Sequence, residues 1–397
     1  MNVCGIICEF NPFHHGHAHL LRAVRAQLGA DCGVVCAMSG DFVQRGEAAA
    51  FAKHDRAAAA VAAGADLVLE LPLPWCTAGA ETFARGGVGL LAATGLVSHL
   101  AFGSESGELE GLRQAAAILD DPALDRALLE GLEAGMSYAV ARQQAAERLA
   151  GKPLPMLRSP NDILALEYLR ALGRSGAAMA PLAVPRVGAG HDSLAGGPAF
   201  SAASARELLW AGGDLNGLLP AAVCAALARG DGSVDRARIE TSLLSRLRFL
   251  PEAAFAAAPD AGAGEGFYHR VYAAARTTPT LEAIQEAAAS RRYPRARVRR
   301  LCLGAALGLC AGDAAGTPPY LRVLAANGRG RALLRRMEQT ALLPLVTKSA
   351  AVRSLDERAR RVFDLGARAA DLLCLGYAAI EQRAGDRDWR SGPVILE

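Results

Sequence analysis

The chain has 397 residues, 52% of them apolar, and its 43 basic and 40 acidic side chains leave a net charge of +3. Length and composition exclude a disordered or fibrous chain and allow two domains with a sizeable core, while so small a net charge identifies no nucleic-acid partner. No basic n-region precedes the first apolar run, no apolar stretch is long enough to span a bilayer, and the nine cysteines form no CxxC pair. A cytoplasmic chain with reduced core cysteines is therefore expected.

In chain order, NVCGIICEF reads as a buried strand and HAHLLRAVRAQLG as a helix closed by Gly29. CGVVCAMS is a second strand, GDFVQRGEAAAF a polar loop and KHDRAAAAVAAG a helix. DLVLELP is a third strand, AETFARGGVGLLAATG a helix, and HLAFGSESG a fourth strand running into a turn. This alternation predicts an α/β, Rossmann-like parallel sheet with helices on both faces and ligands beyond the carboxyl ends of its strands. Residues 108–155 read as a helical insertion, DILALEYLRALG as a helix, AMAPLAVPRVG as a fifth strand, 189–199 as a loop and SAASARELLWAG as the start of a helix. Strand signals then fade. Residues 1–215 are expected to form the catalytic unit and 216–397 a mainly helical domain.

CEFNPFHHGH joins the first strand to the first helix. Helix N-termini carry unpaired N–H groups and partial positive charge, and Gly16 would let backbone approach a ligand closely. His14 and His17, three apart, can face one anion and stabilise charge building on a phosphate. A metal site would need more ligands than two histidines and Glu9, so none is expected. The H-x-G-H form, after a first strand and opening a helix, is that of nucleotidylyltransferases and class I aminoacyl-tRNA synthetases, which bind ATP on a sheet of this kind.

The stretches GIICEFNPFHHGH, AMSGDFVQRGEAA, LVLELP, FGSE, SPNDILALEYLRAL and SAASAREL occur in order, followed by YPRARVRRLCLGAALGL, YLRVLAANGRGRALL and LPLVTK. Together they resemble the bacterial tRNA(Met) cytidine acetate ligase family. The resemblance implies a HUP/nucleotidyltransferase fold that uses ATP and acetate to form acetyl-adenylate. The acetyl group then passes to the wobble cytidine of elongator tRNA(Met). It implies catalytic roles for His14 and His17. The ATP contacts it implies run along Ile7, Cys8, Glu9, Phe10, Asn11, Pro12, Phe13, His14, His15, Gly16, His17, Ala18, His19 and Leu20, and extend to Gly103, Asn161 and Arg186. Asn161 is also a candidate helix cap, and a guanidinium at Arg186 can grip phosphate in a fork. SAASAR resembles a second phosphate signature, S-A-T-x-I-R, through Ser201, Ser204 and Arg206, with alanines at 203 and 205 in place of threonine and isoleucine.

Gln44, Arg45 and Glu47 in the polar loop, and Lys53 beside it, are expected to shape a pocket for acetate or receive the cytidine; an Arg45–Glu47 interaction tying the loop is the structural alternative. Acetate is already ionised and needs no base, so Mg²⁺ carried on the phosphates suits the chemistry without a dedicated protein metal site. RRYPRARVRR holds six arginines and no acid. Arg297, Arg299 and Arg300 are expected to meet an RNA backbone, and Tyr293 to stack on a base, with a solvated basic face as the alternative. Two other functions stay open: a small-molecule adenylyltransferase, and an RNA-binding protein without catalysis.

Overall fold

The computed structural model describes residues 2–186, 201–262, 264 and 266–397; the loop expected at 189–199 lies outside them. Strands β1 (Val3–Cys8), β2 (Gly33–Ser39), β3 (Leu67–Leu71), β4 (His99–Ser104) and β5 (Ala180–Pro185) pair in parallel in the order β5-β4-β1-β2-β3. β2 is buried along its whole length. Its Val35 and Ala37 enter one core and Val34, Cys36 and Met38 the other, so the strand reads as one apolar run rather than an alternation.

Helices α1 (His15–Leu28), α2 (Lys53–Ala62), α3 (Leu73–Cys76) and α4 (Ala80–Ala92) follow the first three strands. α1 ends at Gly29, whose φ of 104° suits a residue without Cβ. The insertion is helical as expected: α5 (Leu109–Leu119), α6 (Pro122–Glu133) and α7 (Tyr138–Ala150), the last two capped by Asp121 and Ser137. α8 (Pro160–Ser175) returns the chain to the sheet and α9 (Ala202–Trp210) follows β5. The chain moves outward from β1 to β3, then crosses to β4 on the other side of β1. That switch lies between β1 and β4, and open α/β sheets take ligands at the carboxyl ends of the strands beside such a point.

The second half is mainly helical and also adds strands to the sheet. It supplies β6 (Leu321–Ala326), antiparallel to β3, and the short β7 (Leu345–Val346) and β8 (Val394–Ile395), both parallel to β6. The helix that follows β6 packs so closely that a Cβ on Gly330 would stand 1.9 Å from the Asp66 carbonyl oxygen. β6 escapes sequence reading because Arg322 interrupts its apolar run; that arginine is nonetheless 3% exposed, paired with buried carboxylates.

Candidate active site

The turn after β1 is built from its own aromatic residues. Phe10 has φ 45°, uncommon for a residue with a side chain, and is held there by packing against Phe13 (4.8 Å between ring centroids) and His17 (4.9 Å). The side chains of Ile7, Cys8, Phe10, Phe13 and Ala18 lie in the core, so what they can offer a ligand is backbone. His14 then caps α1. Its Nδ1 accepts from the Gly16 N–H (3.0 Å), and its own backbone N–H donates to His17 Nδ1 (3.1 Å). The two rings stack at 3.8 Å. A Cβ on Gly16 would fall 2.8 Å from His14 Cε1, so this glycine is what lets the imidazole fold back over the helix end.

This reciprocal cap fixes the tautomers. Burial, and then Arg186 and His15, lower His14 to about 4. Burial, then His14 and Arg186, hold His17 well below its ordinary 6.5. Both rings are therefore neutral at pH 7. With each Nδ1 accepting a backbone proton, each ring carries its hydrogen on Nε2 and presents it as a donor. His15 is exposed, while His19 and Leu20 lie partly buried further along α1.

The neighbouring strand ends complete the mouth. Gly103 on β4 is paired with Val184 on β5, and a Cβ there would come within 3.4 Å of Arg186 Cγ, so the arginine stem lies over the glycine. Arg186 itself is exposed and influences both imidazoles. The FGSE turn and the PND helix start cap each other. Asp162 accepts from Ser104 Oγ and from the N–H groups of Glu105 (3.0 Å) and Ser106 (3.2 Å), while Glu105 accepts from the Asp162 N–H (3.0 Å) and from the Asn161 side-chain amide. Ser159, not Asn161, holds the cap position of α8; Asn161 sits in its first turn.

The second signature reaches the first. Arg206 on α9 donates to the Asn11 carbonyl (2.8 Å), and Ser201 caps α9 with its Oγ 2.9 Å from that of Ser204. Asn11 is 2% exposed: its Oδ1 accepts from the Ala50 N–H (2.8 Å), and its amide nitrogen has no protein partner. The polar loop closes over the same place. The Gln44 N–H donates to Glu9 Oε1 (2.9 Å), and burial raises the Glu9 carboxyl above its usual range. Arg45 is exposed, and the Glu47 carboxylate reaches Arg206 and Arg299.

The family model described as HIGH Nucleotidyl Transferase matches residues 1–388. A tRNA(Met) cytidine acetate ligase of Syntrophotalea carbinolica is 37% identical over 100% of this chain and 99% of its own. One from Acetivibrio thermocellus is 33% identical over the full length of both. The chain belongs to the tRNA(Met) cytidine acetate ligase family. Two solved structures of Thermotoga maritima TmcAL match over the full length of both chains: one bound with alpha-thio ATP (30% identity, TM-score 0.89) and one without ligand (32%, 0.91).

In this family member Lys53 and Tyr293 are placed differently from the expectation, and the arginines after Tyr293 have protein partners. Lys53 does not face the mouth. It is 1% exposed, and its ammonium lies 2.8 Å from Glu70, 2.5 Å from Asp388 and 3.4 Å from Asp41, with Arg322 bound to the first two of these carboxylates. Tyr293 is 4% exposed and stacked on Phe267 at 4.2 Å, so its ring is not presented to a base. The arginines at 297, 299 and 300 are engaged with protein. Arg300 forks onto Asp260 with two 2.9 Å bonds, Arg297 lies over the Phe267 and Tyr293 rings, and Arg299 bonds Gln285, Glu47 and the Arg45 carbonyl.

Sequence reading missed Arg56. It is 1% exposed and donates to the carbonyls of Glu9, Ser39, Gly40 and Phe51, gathering the chain where β1 and β2 end. Lys53 and Arg56 share one helical turn, and nothing local tells which is the clamp. Two clefts lie away from the mouth: one of about 680 Å³ lined by Arg246, Arg368 and Asp371, and one of about 420 Å³ lined by Arg25, Asp66 and Arg329.

The depressed imidazoles make stability pH-dependent. For His14 the ring is neutral in the fold down to about pH 4, but protonates near 6.5 when unfolded. Its contribution is complete above pH 6.5, falls as pH drops, and reaches a loss on the order of 3 kcal/mol near pH 4. His17 and His54, also lowered, act in the same direction. Urea unfolding midpoints are expected to fall between pH 6.5 and 4, with a shallower fall in His14→Gln. An equal slope in both proteins would show that His14 is not held neutral.

Proposed function

We propose that the chain is an ATP-dependent ligase that activates acetate and acetylates the wobble cytidine of elongator tRNA(Met), giving N4-acetylcytidine. The observation that carries this reading is the pair of neutral imidazoles, each with Nδ1 occupied and Nε2–H available, beside Arg186 at the switch point of the sheet. An acetate oxygen attacks the α-phosphorus of ATP, a new P–O bond forms, and pyrophosphate leaves. His14 and His17 donate to the α-phosphate oxygens as charge accumulates, and being neutral before the reaction they demand little reorganisation. Arg186 and Arg206 hold the remaining phosphate charge, with Ser201 and Ser204 at the start of α9. Mg²⁺ carried by the phosphates would neutralise them further; no group of three or more His, Cys, Asp or Glu side chains among the described residues is arranged to hold a metal ion.

In the second step the cytosine N4 attacks the acetyl carbonyl carbon. The bond to the adenylate oxygen breaks, AMP leaves and N4 gives up one proton. Gln44, Arg45 and Glu47 border the entrance through which that base arrives. The RNA backbone meets exposed arginines of the second half, such as Arg291. No helix among the described residues is long and apolar enough to cross a membrane, which suits a cytoplasmic tRNA-modifying enzyme.

Purified protein incubated with radiolabelled acetate, ATP and unmodified tRNA(Met) transcript is expected to place label on the RNA only when ATP is present. Unlabelled RNA together with ATP turnover that ignores acetate would support a small-molecule adenylyltransferase instead. Binding of RNA without any turnover would leave a non-catalytic protein.

A further inference from the structure

We propose that Arg299 is a positioning residue for the nucleotide site, acting through Glu47 on Arg206. The inference rests on the reading of the mouth as a triphosphate site and extends it to a helix that the sequence associates with RNA. Glu47 stands between two guanidiniums: its Oε2 lies 3.6 Å from Arg206 Nη2 and its Oε1 lies 3.3 Å from Arg299 Nη2. Arg206 continues the line by donating to the Asn11 carbonyl, inside the turn that carries the imidazoles. At the other end Arg299 is itself fixed, with Nε donating to the Arg45 carbonyl (3.0 Å) and Nη1 to Gln285 Oε1 (3.0 Å).

The backbone holds this line in place. Gly46 has φ 73°, and a Cβ there would fall 2.9 Å from the Arg300 nitrogen, so the loop carrying Glu47 lies directly on the backbone of the helix Arg295–Leu307. The side chains of Arg206, Glu47 and Arg299 are 17%, 31% and 24% exposed, which leaves their interaction only partly screened.

The charges decide the direction. One carboxylate shared between two guanidiniums neutralises each only partly, and at 3.6 Å its hold on Arg206 is loose. Without Arg299, Glu47 is free to turn fully onto Arg206 and compete there with the phosphates. Arg299 thus draws the carboxylate away and keeps Arg206 available.

The test is titration calorimetry of Mg²⁺–ATP into the full-length protein, without acetate or RNA. Arg299→Gln is expected to weaken ATP binding about tenfold, as loss of a charge-assisted contact does. Arg299→Lys, which keeps a cation beside Glu47, stays within about threefold of wild type. Glu47→Gln moves the other way and tightens ATP, and Glu47→Gln added to Arg299→Gln restores the affinity that the single change lost. A residue that only supports the fold would not be rescued by removing its partner. Filter binding of tRNA by Arg299→Gln is expected to match wild type. Unchanged ATP affinity in Arg299→Gln, weakened ATP affinity in Glu47→Gln, or lost tRNA affinity with intact ATP binding each overturns the relay alone. Wild-type protein that binds no ATP overturns the nucleotide reading together with it.

Discussion

Replacing His17 with alanine is expected to lower acetate-dependent exchange of pyrophosphate into ATP by about a hundredfold or more, while tRNA affinity stays near wild type. The size follows from removing a prepositioned donor from the charge that builds at the α-phosphate. Part of the loss comes through His14. His17 Nδ1 accepts the His14 backbone N–H and its ring stacks on the His14 ring, so the variant also loosens the second donor. The helix cap it breaks adds on the order of 1 kcal/mol of lost stability, too little to unfold the chain and separable by a melting curve. Exchange that persists within tenfold of wild type would remove His17 from the chemistry.

The second large effect is on stability. Lys53→Met is expected to destabilise the protein by about 3–5 kcal/mol, because removing one member of a buried ionic cluster strands its partners. Burial alone would lower the Lys53 ammonium, yet Asp388 and Glu70 hold it above its ordinary value; burial alone would raise the Asp388 carboxyl, yet Lys53 and Arg322 hold it well below. Without Lys53, the three carboxylates of Glu70, Asp388 and Asp41 are left with Arg322 as the remaining cation bound in the cluster. Urea unfolding measures the loss, and adding Asp41→Asn should recover part of it. A change below about 1 kcal/mol, with acetylation abolished, would return Lys53 to the substrate pocket.

The first strands and the loop between β1 and α1 were legible because their signals are local. The apolar runs, the H-x-G-H step and the glycine after α1 each report on residues a few positions away. Arg206 was legible only through family resemblance, since its partner Asn11 lies far back in the chain. Lys53 was misread, and β6 with its Arg322 went unread, for the same physical reason. A charged side chain in a sequence looks solvated until its buried partners are known, and for Lys53 one of these, Asp388, is 335 positions away. The arginines after Tyr293 repeat the lesson: their run without acids suggests an open basic face, but Asp260 and Glu47, supplied by other segments, engage Arg297, Arg299 and Arg300.

The most direct measurement is a crystal structure of this chain with an ATP analogue bound. The α-phosphate oxygens are expected within hydrogen-bond reach of Nε2 on both His14 and His17, with the Arg186 guanidinium on the phosphates. A nucleotide seated instead in the cleft lined by Arg246 and Arg368, or imidazoles turned from the phosphates, would contradict it.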